Sequence, residues 1–414
     1  MSNRKRKQTM SPKEALDFHF NSLVIDSQQP GMTNALLFTE NMRKTLGEYV
    51  EEGHLSRAQI TRILEQQMVE EIQTSSKTQK EFVNLWKKSG VNIASATYAS
   101  AGAIQSDSFS DTVVAVAQAR AIVDALSNEI SLILTAEDIE NTYREKKLGL
   151  ILDFQNGTPF GSNLSNIDVF YNLGVRVVQL TYNLRNLIGD GCTERYKSGL
   201  TYFGKEVVAK MNEKKMIIDV SHCSEQVGWD CIDISTAPIM ITHSTSNALA
   251  KHDRAKNDDL IKAVADKGGF FGVAAIAAFI SEKPGTTLDD FVDQVEHIIN
   301  VAGIDHVGIG SDKCGPGPDT GTNFAFPDHM GPYGLSYIYK DNPDPRILPS
   351  GSFDWIGFRP EHRLSADYRI EGFDEFIHWP NITIKLAERG FNEEELQKIL
   401  GLNYLRVFKD IIGQ

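Results

Sequence analysis

The 414-residue chain has only four cysteines, Cys192, Cys223, Cys231 and Cys314, and no C-x-x-C pair among them. They are too few and too scattered for a disulfide scaffold of this size, which points to a reducing compartment. Long apolar runs are missing too. No stretch reaches the roughly 20 residues that a membrane-spanning helix needs, and the first twenty residues lack the apolar core of a secretory signal. These absences lead to the expectation of a cytoplasmic protein with no membrane partner. Positive charge is also in deficit. Lys and Arg number 42 against 55 Asp and Glu, a net charge of −13, which argues against a nucleic-acid partner. The one basic cluster, Arg4-Lys5-Arg6-Lys7, lies in a polar N-terminal stretch and reads as a solvated terminus. There is no internal repeat and no low-complexity tract.

What the chain does have is a rhythm of eight short apolar runs: Ser22–Ser27, Val91–Ala99, Leu148–Gln155, Val175–Asn183, Met216–His222, Pro238–Ser244, Gly269–Ala278 and His306–Asp312. Most are rich in Val and Ile with little polar alternation, the pattern of parallel strands buried on both faces. Amphipathic segments with readable caps separate them, such as Ser11-Pro12-Lys13-Glu14 and Thr135-Ala136-Glu137-Asp138. Eight strands alternating with helices predict a (β/α)8 barrel of the TIM type, with residues 1–414 as a single domain. A doubly wound open sheet is the competitor, but no Gly-rich phosphate fingerprint follows the first run. Two insertions account for the length beyond a plain barrel. Residues 31–90 read as helices over Ala35–Glu52, Ser56–Thr74 and Thr78–Lys88, and 315–362 as a loop-rich segment carrying Phe324, Phe326, Tyr333 and Trp355. Both follow the C-terminal ends of strands, where barrel enzymes build their pockets. A last helix opens at Asn392-Glu393-Glu394-Glu395.

Polar residues at those strand ends are the first candidates for chemistry. The fifth run ends Asp219-Val220-Ser221-His222, the sixth Thr242-His243-Ser244, and the eighth Gly310-Ser311-Asp312. Two imidazoles on adjacent strands and a carboxylate two strands on suit a zinc ion. Each is also compatible with a hydrogen-bonded residue in the packing, and Asp312 with a turn or helix-cap aspartate. His19 and His306, at the opposite ends of their strands, read as structural.

These residues carry a resemblance. Ile218-Asp219-Val220-Ser221-His222, Thr242-His243-Ser244 with His252-Asp253-Arg254, His306 through Asp312, and Leu400-Gly401-Leu402-Asn403-Tyr404-Leu405-Arg406-Val407 resemble the membrane (renal) dipeptidase family of zinc metallopeptidases. With Ser22–Asp26 the likeness covers most of the chain. It implies a (β/α)8 barrel, His222 and His243 as ligands of one zinc, Arg254 as the holder of a substrate carboxylate, and Asp312 as a metal ligand that also handles protons. The departures are as informative. The family's first strand ends Asp-Gly-His-x-Asp, whereas this chain reads Asp26-Ser27-Gln28-Gln29-Pro30. A glutamate that bridges two zincs in the family is Gln155, a neutral amide, and a substrate-contacting histidine is Tyr182. The implied metal content is therefore one Zn2+, with the second site lost. The altered pattern, with Thr181-Tyr182-Asn183 followed by Gly189-Asp190-Gly191-Cys192-Thr193-Glu194, is similar to a divergent bacterial branch of the family. Cys192 and Glu194 are the most capable replacement ligands there, unless Cys192 is only a buried thiol in a Gly-rich loop.

The resulting expectation is a dipeptidase-like metallohydrolase acting on an amide bond in a small carboxylate-bearing substrate. In it His222 and His243 hold zinc with help from Gln155, Asp312 or Cys192. Asp312 moves the proton, Arg254 and Gln155 contact the substrate, and Tyr182 stabilises the oxyanion. Two alternatives stay open: a changed metabolite hydrolase or lyase reaction on the same barrel, and a catalytically silent small-molecule binding protein. Family analogy adds a homodimer.

Overall fold

The computed structural model describes residues 10–30, 36–52, 57–99, 109–281, 285–313, 315 and 370–413. The 315–362 insertion, apart from Gly315, and Cys314 lie outside them. Nine parallel strands form one sheet: β1 (Ile25–Gln29), β2 (Ile93–Thr97), β3 (Ile130–Leu132), β4 (Leu148–Phe154), β5 (Val175–Gln179), β6 (Ile217–Asp219), β7 (Met240–Ser244), β8 (Phe270–Ala274) and β9 (Val307–Gly310). Eight of them run in the order β1-β2-β4-β5-β6-β7-β8-β9, and β3 pairs with β4. This is the (β/α)8 barrel that the eight apolar runs predict, nearly closed on itself.

The ninth strand is a local addition. Along one edge β4 pairs with β2 from Gly149 to Asp153. Along the other, its first half pairs with β3 at Leu148–Leu150 and its second half with β5 at Leu152–Phe154. Three residues long, β3 occupies the edge that β5 has not yet reached, so the count of barrel staves stays at eight. β1 extends two residues past the predicted end at Ser27, because Gln28 O accepts the Asp312 amide at 3.0 Å and Gln29 pairs with Ala96. Side chains finish the closure between β1 and β9. Ser27 Oγ donates to Ile309 O (3.0 Å) and, across the interior, to Thr242 O (2.6 Å). Asp26 accepts the Ser311 amide at 2.8 Å, the Ser311 hydroxyl and the Trp379 indole N–H at 2.9 Å.

The predicted caps are formed. Ser11 and Glu14 make a reciprocal capping box on Pro12–Asn21, Thr135 and Asp138 on Ala136–Arg144, and Asn392 and Glu395 on Glu393–Gln397. The 31–90 insertion contains helices Glu40–Glu52, Arg57–Thr74 and Ser76–Lys88. The last of these buries Phe82, Val83 and Trp86. No helix among the described residues is long and apolar enough to cross a membrane.

The C-terminal motif explains itself at the barrel floor. A Cβ at Gly401 would stand 2.5 Å from Leu23 O, so only glycine lets the turn Lys398–Leu402 approach β1. Asn403 Nδ2 then donates to Val307 O (2.8 Å) and Ile304 O (2.7 Å), and Arg406 donates to Gly268 O (2.9 Å) and Asp305 O (3.0 Å). Below the sheet, His19 is fully buried. Its Nε2 donates to Ser89 O at 2.8 Å and its Nδ1 meets the Thr383 hydroxyl at 2.8 Å.

Burial pushes the His19 pKa down to about 4, against about 6.5 for a free histidine. Below pH 6.5 the unfolded chain takes up a proton that the fold refuses. This contribution to stability is therefore intact above pH 6.5 and is lost as pH falls towards 4. Between pH 8 and pH 5 the loss is about 2 kcal/mol. Chemical denaturation at both pH values should show the wild type losing about 2 kcal/mol more than His19→Gln, and an equal pH dependence in both would refute the assignment.

Candidate active site

The C-terminal ends of the strands bring the predicted residues together, His243 from within a strand and most of the others from the turns and bends that follow. His222, just past β6, and His243, within β7, are both buried, with their Nε2 atoms 2.9 Å apart. His222 Nδ1 meets Asn183 Oδ1 at 2.6 Å, and His243 Nδ1 meets Thr242 Oγ1 at 2.9 Å. Burial, with the positive charges of Arg254 and Lys256, pushes both rings well below the usual histidine pKa. Both are neutral imidazoles, the form that binds metals.

Gln155, after β4, brings its amide nitrogen to 3.4 Å from His243 Nε2. Its backbone is anchored by Thr97 Oγ1 at 3.0 Å. Asp312, after β9, has φ 53°, a left-handed turn that follows its amide bond to Gln28 O. Burial raises its carboxyl to about 6, against the opposing pull of Arg254, Lys313 and the Gln155 amide. The Tyr182 ring stacks on His222, with centroids 4.2 Å apart and planes 20° from parallel.

Arg254 is fully buried. Its Nη1 donates to Ser221 O (2.6 Å) and Ser244 Oγ (3.2 Å), its Nη2 to His243 O (2.6 Å), and its guanidinium lies 5.6 Å from the Phe279 ring centre. The Nε hydrogen has no acceptor. A buried cation with an unused donor beside two imidazoles is a ready partner for an anion.

The remaining polar candidates fall elsewhere. Cys192 stands behind His222. Its thiol, pushed up by burial, donates to the same Asn183 Oδ1 at 3.2 Å. Glu194 turns outward to accept the Arg185 amide at 2.8 Å, and the Cys223 thiol faces Thr181 O and Asp219 O in the packing. Among the described residues no three His, Cys, Asp or Glu side chains gather closely enough to share an ion. The converging donors are two imidazoles, with an amide and a carboxylate alongside.

Four residues at the site escaped the sequence reading: Asn183, Asp219, Thr242 and Lys256. Lys256 is buried, donates from Nζ to Cys223 O at 2.6 Å, and has its pKa lowered to about 8 by burial. Asn183 has φ 42°, a left-handed conformation that Asn tolerates better than most side chains. Its carbonyl accepts from the Thr193 amide (2.9 Å) and hydroxyl (2.7 Å). The Gly-rich loop closes tightly over it, because a Cβ at Gly191 would stand 2.0 Å from the Asn183 carbonyl carbon. Gly191→Ala is expected to cost about 1–3 kcal/mol by overpacking. An unchanged urea midpoint would show that this loop yields freely.

Comparisons with known proteins place the chain among dipeptidase relatives. The dipeptidase tcpJ of Claviceps purpurea is 26% identical over 312 residues, 75% of this chain and 62% of that protein. An uncharacterized dipeptidase of Schizosaccharomyces pombe is 28% identical over 311 residues, 72% of this chain and 62% of its own length. The chain thus spans rather less than two thirds of these relatives. A crystal structure of an amidohydrolase from Pseudomonas aeruginosa superposes with a TM-score of 0.71 at 25% identity, covering 98% of this chain and 100% of that one. The sequence profile of the membrane dipeptidases, peptidase family M19, matches residues 52–321. That match takes in well over half the chain, from within the first insertion to a point beyond β9, and the chain belongs to that family.

Proposed function

We propose that the chain is a metal-dependent hydrolase of the dipeptidase kind, cleaving an amide bond in a small substrate with a free carboxylate, and that His222 and His243 hold one zinc ion. The observation that carries this reading is the pair of neutral imidazole Nε2 atoms facing each other at 2.9 Å with Gln155 and Asp312 alongside. Nitrogen and oxygen donors of this kind fit zinc. When bound, zinc would supply Lewis acidity to the scissile carbonyl and the attacking water.

The other steps belong to the chain's own residues. Asp312, with a carboxyl raised to about 6, accepts the proton of the attacking water and returns it to the leaving amine. Arg254 offers its Nε–H together with an Nη2–H as a fork for the substrate carboxylate. Gln155 orients the substrate from the far side of His243, and Tyr182 is the donor assigned to the oxyanion. Cys192 serves this arrangement through Asn183 and not as a ligand. A second ion lacks anionic ligands at these positions, because Gln28, Pro30 and Gln155 are all neutral.

Metal analysis of protein purified without added zinc should return about one equivalent of a transition metal, and the protein should turn over free-acid dipeptides. Less than about half an equivalent, with full activity retained, would overturn the reading. Thermal stabilisation by dipeptides without turnover would identify a binding protein instead.

A further inference from the structure

Around the mouth of the barrel, β4, β6, β7 and β9 deliver the polar side chains Gln155, His222, His243 and Asp312. β8, which pairs with β7 on one side and β9 on the other, delivers none. It runs into Ala274-Ala275-Ile276-Ala277-Ala278-Phe279-Ile280, seven apolar residues without a break. Alternation along the strand sets which of them face the site. Phe271, Val273 and Ala275 belong to the main hydrophobic core, between sheet and helices. On the opposite face, Phe270 packs in the barrel floor with Ile25, Met240 and Tyr404. Gly272 stands so close to Ser27 Oγ and Thr242 O that a Cβ would collide with both. Ala274 and Ile276 continue this inner face and, with Ala278 and Phe279, make a small buried cluster of their own, apart from the core.

This cluster is tied to Arg254 through one imidazole. His252 Nε2 donates to Phe279 O at 2.9 Å, and its Nδ1 accepts the Arg254 amide at 3.2 Å. The His252 and Phe279 rings stack with centroids 5.3 Å apart, and Thr245 Oγ1 donates to the same Phe279 O at 2.9 Å. So held, the Phe279 ring centre lies 5.6 Å from the Arg254 guanidinium carbon. We infer that the end of β8 is the subsite for the side chain adjoining the substrate carboxylate, and that it selects an apolar one. That side chain leaves from the carbon bonded to the carboxylate, so a carboxylate forked on Arg254 brings it towards Phe279 and the cluster around it. A charged group there would be buried without a partner, whereas an aliphatic or aromatic one gains by leaving water. The favoured substrates are dipeptides whose C-terminal residue resembles leucine, valine or phenylalanine. The orientation of the substrate rests on the function proposed above; the apolar lining does not.

The test measures kcat/KM of the full, zinc-loaded chain for Ala-Gly, Ala-Leu, Ala-Asp and Ala-Lys, the last three with the C-terminal residue in each configuration. The better-used Ala-Leu should exceed Ala-Gly, Ala-Asp and Ala-Lys by about 10- to 100-fold. Ile276→Ala should shrink the Leu-to-Gly ratio by about 3- to 10-fold. An Ala-Leu used no better than Ala-Gly, or a ratio untouched in both Ile276→Ala and Phe279→Ala, overturns the inference. Calorimetric binding of N-acetylleucine, in either configuration, and of N-acetylglycine separates this inference from the reading it rests on. Preference for N-acetylleucine in a chain that cleaves no dipeptide would uphold the subsite and sink the proposed function. Cleavage with no preference for leucine would do the reverse, and neither cleavage nor binding would remove both. Should the variants fail to fold, the wild-type series and the calorimetry decide.

Discussion

Replacing His222 with alanine is expected to remove the bound metal and to lower turnover by more than the ~10–100-fold that loss of an outer hydrogen-bond partner costs a metal site. Only two imidazoles converge at the centre, and no third His, Cys, Asp or Glu among the described residues closes on them. Taking one away leaves a single strong nitrogen donor with a neutral amide and a half-engaged carboxylate. The substitution also takes from Asn183 Oδ1 the nearer of the two donors it has in His222 and Cys192. Elemental analysis beside steady-state rates checks both consequences. The control is His306→Gln. His306 Nδ1 meets Gly269 O at 2.9 Å at the other end of the barrel, so this variant should keep its metal and its rate. A His222→Ala protein with a full complement of metal would mean that the ion sits elsewhere.

The second large effect concerns Arg254. Methionine at this position matches much of the side-chain length and removes the charge. If Arg254 holds the substrate carboxylate as proposed, this takes away a charge-assisted fork, and truncating such a buried partner costs about 2–5 kcal/mol. At 1.4 kcal/mol per tenfold, kcat/KM for a free-acid dipeptide should fall by about 30- to 4,000-fold. Arg254 also ties Ser221 O and His243 O together, so some of any loss is architectural. Comparison of a dipeptide with its C-terminal amide separates the two. The wild type should favour the acid strongly, and Arg254→Met should lose that preference. If acid and amide fall by the same factor, Arg254 is a brace and not a clamp.

The barrel was legible because strands buried on both faces must be built from uninterrupted Val and Ile, and such runs stand out between capped helices. β3 was not, because Ile130-Ser131-Leu132 is too short to show any period and merges with the cap at Thr135. His222 and His243 were legible from their places at strand ends beside known motifs. Their supports were not. Asn183, Thr242 and Asp219 are ordinary polar residues whose role depends on contacts of 2.6–2.9 Å, and residue type and spacing along the chain do not reveal those. The Asn183-to-Cys192 loop showed one signal, a Gly at 191 flanked by polar residues, but not its reason. Cys192 illustrates the limit from the other side. Its chemistry suits a metal, yet the direction of its thiol is set by a loop closing on Asn183.

The contacts around Asp26 have a kinetic consequence. This carboxyl near the start of the chain is satisfied by Ser311, 285 positions later, and by the Trp379 indole, 353 positions later. A nascent chain therefore carries a buried-type carboxyl without all its partners until Trp379 has been made. Earlier staves can pair as they emerge, but the seam between first and last strands closes only once β9 and Asp312 have emerged. Contacts this distant along the chain slow the final step of folding. A chain interrupted before β9 would stay open along that seam, its β1 edge exposed to whatever strand arrives first, and one interrupted before Trp379 would lack the indole donor to Asp26.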